Sequence, residues 1–497
     1  MKKLLCLFLV MAALFAIACT KESPGNSGET DSRDPAAEGQ GEAGEAAKIL
    51  PGFEPRDFGG YEITFLVNGP GMGAGWYVPQ DLIPENGYIE YAEVLSDATY
   101  RRNLMLEETY NFKIKMVPDD NLPATLAKVV AAGDQTYEAV YGSYMYYYTA
   151  LTSGYLKDLF AMPNIDLSKP WWAADSVRDL TIDGRLFMVA GDMVQYSYTG
   201  SSCVFFSKKL IEDNALELPY GIVREGKWTL DKMFEMGKKV ILDLNGDGKL
   251  DGDDVLGVVF EDKFYEGLYL GTGQRTVEEK NGVLELTVNH PRTIAFIDKM
   301  IGYVKTSDGT FFATEKLKAG KDVLHVYQQM RFNFNEDRIL YMVSQLIAAY
   351  SDLRLKETPY GILPLPKLDE SQGAYYSYLP ADNQMLAVPM NVKSPEDTGY
   401  MLEAIAAESK YTTKIAAYDN ILIIRQMRDV ESEEMIDIIN ANRRFDLGGI
   451  FRWGGVSELV PATIKSGENK FASRYESASE KIQKEMDKTM EEIKNIG

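Results

Sequence analysis

The residues from Asp243 to Asp254 carry the sharpest chemical signal in this 497-residue chain. Oxygen-bearing side chains fall at loop positions one, three, five, nine and twelve: Asp243, Asn245, Asp247, Asp251 and Asp254. Gly248 stands at position six, where such a loop turns sharply, and Lys249 at seven offers a backbone carbonyl. This is the spacing of an EF-hand-type calcium loop, with Asp in place of the bidentate Glu at twelve. The shorter last carboxylate implies weak, extracellular-grade affinity and a structural role for the ion. The competing reading is a solvated acidic turn.

The second set of candidates is aromatic. Trp76 and Tyr77 lie in a glycine-rich loop, and Tyr141, Tyr144, Tyr146, Tyr147 and Tyr148 cluster further on. Trp171 and Trp172 follow Pro170, and Trp453 lies in Phe451-Arg-Trp-Gly-Gly. Sugar rings present flat C–H faces that stack on aromatic rings, while their hydroxyls need carboxylates, amides and guanidinium groups. In open α/β sheets ligands sit beyond the carboxyl ends of the strands, where Trp76 and Tyr144 are expected. The plainer reading, that these rings are core, weighs most on individual tyrosines and on Trp228 at a helix start.

Catalytic signatures are missing. There is no Gly-x-Ser-x-Gly elbow, no His-Glu-x-x-His and no phosphate loop. The two histidines, His290 and His325, have no motif partner, and no spacing singles out the carboxylate pair of a glycoside hydrolase. A binding protein rather than an enzyme is expected.

At the chain's start, Lys2 and Lys3 precede an apolar run from Leu4 to Ala18 that ends at Cys19. A basic start, a short greasy segment and small residues before a cut site make an export signal. The cysteine after Ala16-Ile17-Ala18 resembles a bacterial lipobox, although Ala16 stands where Leu is usual. The reading is a signal over 1–18, a lipidated Cys19, and a flexible Gly-, Glu- and Ser-rich tether over 19–56. An ordinary cleaved signal is the alternative. No second stretch is long and greasy enough to cross a membrane.

Composition sets further bounds. The net charge is −22, which repels phosphate backbones and makes nucleic acid an unsuitable partner. It also opposes adhesion to an anionic membrane through protein surface, leaving the lipid as anchor. Of three cysteines, Cys6 leaves with the signal and Cys19 is lipidated. Cys203, in the apolar run Ser-Ser-Cys-Val-Phe-Phe, is then an inert packing residue without a disulfide.

The elements that must position these groups alternate. Ile63, Phe65 and Val67 mark a buried strand, Tyr88 to Tyr110 a helix, and Phe112 to Val117 a strand with outward Lys113 and Lys115. Leu126 to Ala132 reads as a helix stopped by Gly133, and Tyr137 to Tyr141 as a third strand. This rhythm predicts a parallel sheet with crossover helices. A hairpin is expected at Asp183-Gly184, a strand running into a helix from Val204, and a helix capped by Thr229. Phe471, Tyr475, Ile482, Met486, Met490 and Ile493 line one face of a final amphipathic helix.

Taken in order, several segments resemble extracellular solute-binding proteins of ABC importers, the sugar-binding branch related to maltodextrin-binding protein. They are Arg101-Arg-Asn-Leu-Met-Leu-Glu-Glu-Thr-Tyr-Asn-Phe-Lys-Ile, Tyr137-Glu-Ala-Val-Tyr-Gly-Ser143, Leu151-Thr-Ser-Gly-Tyr-Leu-Lys-Asp-Leu and Phe206-Ser-Lys-Lys-Leu. Gly226-Lys-Trp-Thr-Leu-Asp, Tyr360-Gly-Ile-Leu-Pro-Leu-Pro and Ala387-Val-Pro continue the series. The resemblance covers nearly the whole mature chain, and its specificity lies in the order of the pieces.

The resemblance implies a two-lobed α/β fold of the periplasmic-binding-protein (Venus flytrap) type, with an interlobe cleft closed by hinge bending. The expected division is 57–160 for lobe 1, 161–358 for lobe 2 with the calcium loop, 359–444 for the return to lobe 1, and 445–497 for C-terminal helices on lobe 2. The ligand residues expected from the loop aromatics, the strand ends and the resemblance together are Trp76, Tyr77, Tyr141, Ser143, Tyr144, Asp192, Gln195, Tyr198, Asp382 and Trp453. The expected function is import of a carbohydrate by a monomer that hands its ligand to ABC permease subunits from the outer face of the cell membrane. A glycan-binding sensor or adhesion module and, further off, a carbohydrate-active hydrolase are the alternatives.

Overall fold

The computed structural model describes residues 48–72, 81–84, 93–194, 196–261, 263–305, 311–313, 326–353, 356–380, 383–417 and 430–496. The strands in the first half are β1 (Tyr61–Asn68), β2 (Phe112–Asp119), β3 (Ala139–Ser143), β4 (Ser202–Ser207), β5 (Leu256–Phe260), β6 (Val277–Lys280) and β7 (Val283–Leu286). The remainder are β8 (Phe311–Ala313), β9 (Ile339–Gln345), β10 (Tyr360–Leu363), β11 (Ser377–Tyr378), β12 (Gln384–Ala387) and β13 (Arg443–Arg444).

The first sheet has the order β12-β3-β1-β2. β1 pairs in parallel with both β2 and β3, and β12 runs antiparallel to β3. Residues 63–68 of β1 are buried without alternation, as befits a central parallel strand covered on both faces. β2 lies at the edge, and its Lys113 and Lys115 point outward as the sequence predicts. The crossover helices are Glu93–Tyr110 and Leu122–Ala131, the second entered at Pro123 and left at Gly133 with φ 67°. The expected hairpin turns at Asp183 and Gly184, both with positive φ.

The second sheet has the order β10-β4-β9-β5-β8. β5, β8 and β9 are parallel, while β4 is antiparallel to both β9 and β10. β4 leads directly into helix Lys208–Asp213, capped by Ser207. Thr229 caps Leu230–Lys238 by accepting from the Lys232 amide. The long C-terminal helix is Phe471–Lys494, with Ile482, Met486 and Ile493 buried.

Two expected boundaries do not coincide with the change of sheet. Tyr360–Leu363, expected to open the return to the first lobe at 359, pairs with β4 in the second sheet. The segment that rejoins the first sheet is β12. Likewise the chain beyond 161 stays with the first sheet: Val189 bridges Leu386 of β12, and the Trp172 indole donates to Glu403 at 2.8 Å. The reason is that an apolar strand carries its burial in its sequence but not the identity of its neighbour. The C-terminal helix touches β7, in the two-stranded β6–β7 sheet, and also helix Tyr147–Thr152. One apolar core runs from Ile63 and Phe65 through Phe206 to Phe260, and residues 49–497 form one unit. Cys203 is wholly buried in β4, where burial pushes its thiol far up, as expected of a packing residue.

Candidate functional site

Strand direction brings the two sheets' carboxyl ends to one place. In the first sheet β1 ends at Asn68 and β3 at Ser143, and antiparallel β12 starts opposite Ser143. In the second, β9 ends at Gln345, and antiparallel β4 starts opposite it at Ser202. Residues 190–194 and 196–201 lie between Val189, which bridges Leu386 of β12, and the start of β4. Tyr144 donates from its amide to Asn383 O at 3.0 Å and from its hydroxyl to Leu379 O at 2.6 Å. Two residues before Leu379, Ser377 Oγ donates to Ser202 O at 2.8 Å. A crevice beyond carboxyl ends, at the point where the chain changes sheet, is where open α/β folds bind ligands.

The side chains at this junction are hydrogen-bonding groups. Asn68 is 2% exposed, and both atoms of its amide have no partner among the described residues. Gly142 makes room for it: a Cβ there would lie 2.7 Å from Asn68 Oδ1. Asn383 Oδ1 and Ser202 Oγ are buried with the same lack of a partner. Lys263, three residues beyond β5, donates to Gln345 Oε1 at 3.1 Å and lies 3.7 Å from Glu261. Gln345 in turn donates to Gly200 O at 3.1 Å.

Of the residues expected from sequence, Tyr141, Ser143 and Tyr144 stand together at the end of β3, all buried. Tyr141 donates its hydroxyl to Asp81, whose backbone carbonyl is held by the fully buried Arg102. Asp192 lies on the 190–201 crossover and pairs with Lys414 at 2.8 Å. Burial pushes its carboxyl above the usual range, against the pull of Lys414. Tyr198 belongs to the short helix Tyr196–Thr199 on the same crossover. Trp76, Tyr77, Gln195 and Asp382 lie outside the described residues. Trp453 is packed inward: it stacks on Phe451 with ring centres 4.5 Å apart and donates to Thr489 at 2.9 Å. The C-terminal helix therefore covers it. Asn68, Asp81, Lys263, Gln345 and Lys414 escaped sequence reading. Asn68 alone left a trace, as an amide at a strand end before Gly69-Pro70.

The acidic loop lies apart from the junction, between the bridged residues Leu242 and Val255. Its carboxylates cap backbone amides: Asp243 accepts from Gly246 at 2.7 Å and Gly248 at 2.9 Å, and Asp247 from Lys249 at 2.8 Å. Asp254, fully buried, accepts from Leu244 and Asp251, each at 3.0 Å. Gly246 and Gly248 adopt φ of 72° and 75°, which the tight coil requires. Among the described residues no three His, Cys, Asp or Glu side chains converge as a metal cluster.

No protein-family model matches the sequence, and no curated protein matches it. Solved structures do. A cyclo/maltodextrin-binding protein complexed with maltotetraose matches with a TM-score of 0.52 at 15% identity, over 87% of this chain and 96% of that one. The GacH receptor of Streptomyces glaucescens, solved unliganded and with acarbose, matches at 0.51 and 13%, over 88% and 100%. The maltose/maltodextrin-binding domain MalE from Bdellovibrio bacteriovorus, bound to maltotriose, matches at 0.50 and 15%, over 86% and 100%. The chain is thus an α/β protein with two mixed sheets and the fold of these binding proteins.

Proposed function

We propose that this chain is the extracytoplasmic solute-binding protein of an ABC importer and that it takes a carbohydrate, an oligosaccharide in particular, at the sheet junction. The observation that carries the reading is the junction itself, where two carboxyl-end edges meet across shared crossovers, in a fold whose neighbours are named for maltodextrin binding. Buried amides and hydroxyls without internal partners are what a hydroxyl-rich ligand needs, because its own donors and acceptors complete them. Asn68, Ser202 and Asn383 supply these groups, Ser143 and Gln345 add polar side chains beside them, Asp192 and Lys263 supply charge, and Tyr141 and Tyr144 supply ring faces. Trp76, Tyr77, Gln195, Tyr198 and Asp382 complete the proposed set.

No bond is made or broken. The ligand stabilises the closed arrangement of the layers by its differential affinity for it, and the permease subunits receive it. Cys19 carries the lipid that keeps the protein, a monomer, at the outer face of the cell membrane. Calcium in the 243–254 loop braces the second layer. A carboxylate oxygen that accepts one amide keeps a second lone pair for a cation.

A thermal-shift screen against a glycan panel, with and without calcium, tests this. A bound saccharide raises stability as RT ln(1 + [L]/Kd). Shifts with peptides and none with any saccharide would overturn the ligand class. Cleaved oligosaccharide in the same incubations would overturn the assignment as a binding protein.

A further inference from the structure

Two carboxyls meet at one glycine of the short helix Leu447–Phe451. Asp446 caps this helix and is well supplied with donors: it accepts from the Thr276 amide at 2.9 Å, from the Thr276 hydroxyl, and from the Gly449 amide at 3.0 Å. Glu266, on helix Phe264–Gly271, reaches the same glycine. A Cβ on Gly449 would lie 2.7 Å from Glu266 Oε1 and 3.7 Å from the Tyr378 hydroxyl, and one on Gly448 would collide with Thr276 Oγ1. The helix is therefore seated on these groups by bare backbone. Glu266 Oε1 is buried at this contact and has no hydrogen-bond partner among the described residues.

Those surroundings suit one protonation state. A buried carboxylate oxygen needs donors, and one that faces a glycine backbone without a partner lacks them, whereas the neutral acid escapes most of that cost. The seated helix thus selects protonated Glu266. Burial, reinforced by Asp446 and Glu458, pushes the carboxyl up, against a hydrogen bond with Tyr378 and the pull of Arg452. Further charged groups on the packed elements are engaged elsewhere. Asp179 accepts from the Phe445 amide at 3.1 Å, and Arg275 pairs with Asp179 at 2.6 Å and also favours ionised Asp446. Lys465 lies 5.6 Å from the centre of the Tyr265 ring, and Lys263 pairs with Glu261 at 3.7 Å. The same helix is flanked by rings that touch the segment after β3: Phe445 lies edge-on to Tyr144 with centres 6.2 Å apart, and Phe451 to Tyr148 at 6.3 Å.

We propose that Glu266 is a protonation switch for helix Leu447–Phe451: the neutral acid lets the Gly448-Gly449 backbone seat against it, and the carboxylate unseats the helix and loosens the packing of Phe445 and Phe451 on Tyr144 and Tyr148. The device is local, because the helix has only five residues and its contact with Glu266 is made through Gly449. It needs no assumption about the ligand of the sheet junction.

The test is amide hydrogen exchange on the full chain across the neutral pH range, each rate divided by that of an unstructured peptide at the same pH. The amides to follow are Gly449, Ile450 and Arg452, which are hydrogen-bonded in the seated helix. The seated form holds a proton that the unseated form releases near the ordinary 4.5, so the opening constant rises about tenfold per pH unit through the neutral range and levels off above about 8. In E266Q, permanently neutral, these amides stay protected and that rise is absent. If E266Q fails to fold, E266M, which needs no donor, gives the same readout. Protection that does not change with pH in the wild type means that Glu266 ionises without moving the helix, and it overturns the switch. So does an equal rise in helix Leu230–Lys238, which reports loosening of the whole chain, or a rise that persists in both variants.

Discussion

The two ends of β9 are built by opposite rules. At its start, Lys356 is completely buried and spends all three ammonium donors, on Phe334 O at 2.9 Å, Asn335 O at 3.1 Å and Asp337 at 2.6 Å. Asp337 also accepts from Ser207 Oγ at 2.7 Å and Thr358 Oγ1 at 2.6 Å. At its other end, Gln345 meets a half-exposed Lys263, Ser202 Oγ has no partner among the described residues, and across the junction the Asn68 amide is in the same state. A buried polar group fully satisfied within the chain can only hold the chain together. One left open costs stability and is retained where a ligand completes it. The first end is scaffold and the second is the proposed site.

The largest effect separating the two is expected at the scaffold end. Lys356→Met strands the Asp337 carboxylate and lowers the unfolding free energy by about 3–5 kcal/mol, read from urea melts. A loss below about 1 kcal/mol would erase the distinction. Asn68→Ala should do the reverse: it removes an unsatisfied amide, so stability holds or rises, while affinity for the best saccharide falls about tenfold or more. Calorimetry beside the same urea melts checks both halves of that statement.

A pH series sharpens the comparison from a third direction. Burial, reinforced by the nearby Asp446, pushes the Glu266 carboxyl up to about 8, and burial pushes Glu403 to about 7. Native values above the ordinary 4.5 mean that the folded chain holds protons which the unfolded chain releases. Their contribution to stability is complete below the ordinary carboxylate range and is lost as pH rises through about 7 and about 8. The melting temperature should therefore decline across that window, and Glu266→Gln, permanently neutral, should flatten its upper part. An unaltered profile in the variant would remove Glu266 from the account. The smallest expected change is from calcium: at ten to a hundred times its Kd it adds about 1–3 kcal/mol, and Asp243→Asn should remove that gain.

Particular elements show what kinds of information a linear chain carries. β1, β2, the helix stopped by Gly133, the Thr229 cap, the Asp183-Gly184 turn and the amphipathic C-terminal helix were legible because each is set by local spacing and by residues with strong backbone preferences. Tyr141, Ser143 and Tyr144 were found at the junction because a strand's end can be read locally. Trp453 shows the reverse: a tryptophan followed by two glycines looks like a presented ring until the C-terminal helix closes over it.

By itself, then, the sequence determined the α/β alternation, the placement of β1 to β4 and of a handful of helices, the spacing of the acidic loop and the acidity of the molecule, since these follow from neighbours along the chain. Only the tertiary structure decided that Tyr360–Leu363 joins the second sheet and that Lys263 meets Gln345. Those are contacts between residues far apart in the chain, selected by strand pairing and burial, and no short-range pattern encodes them.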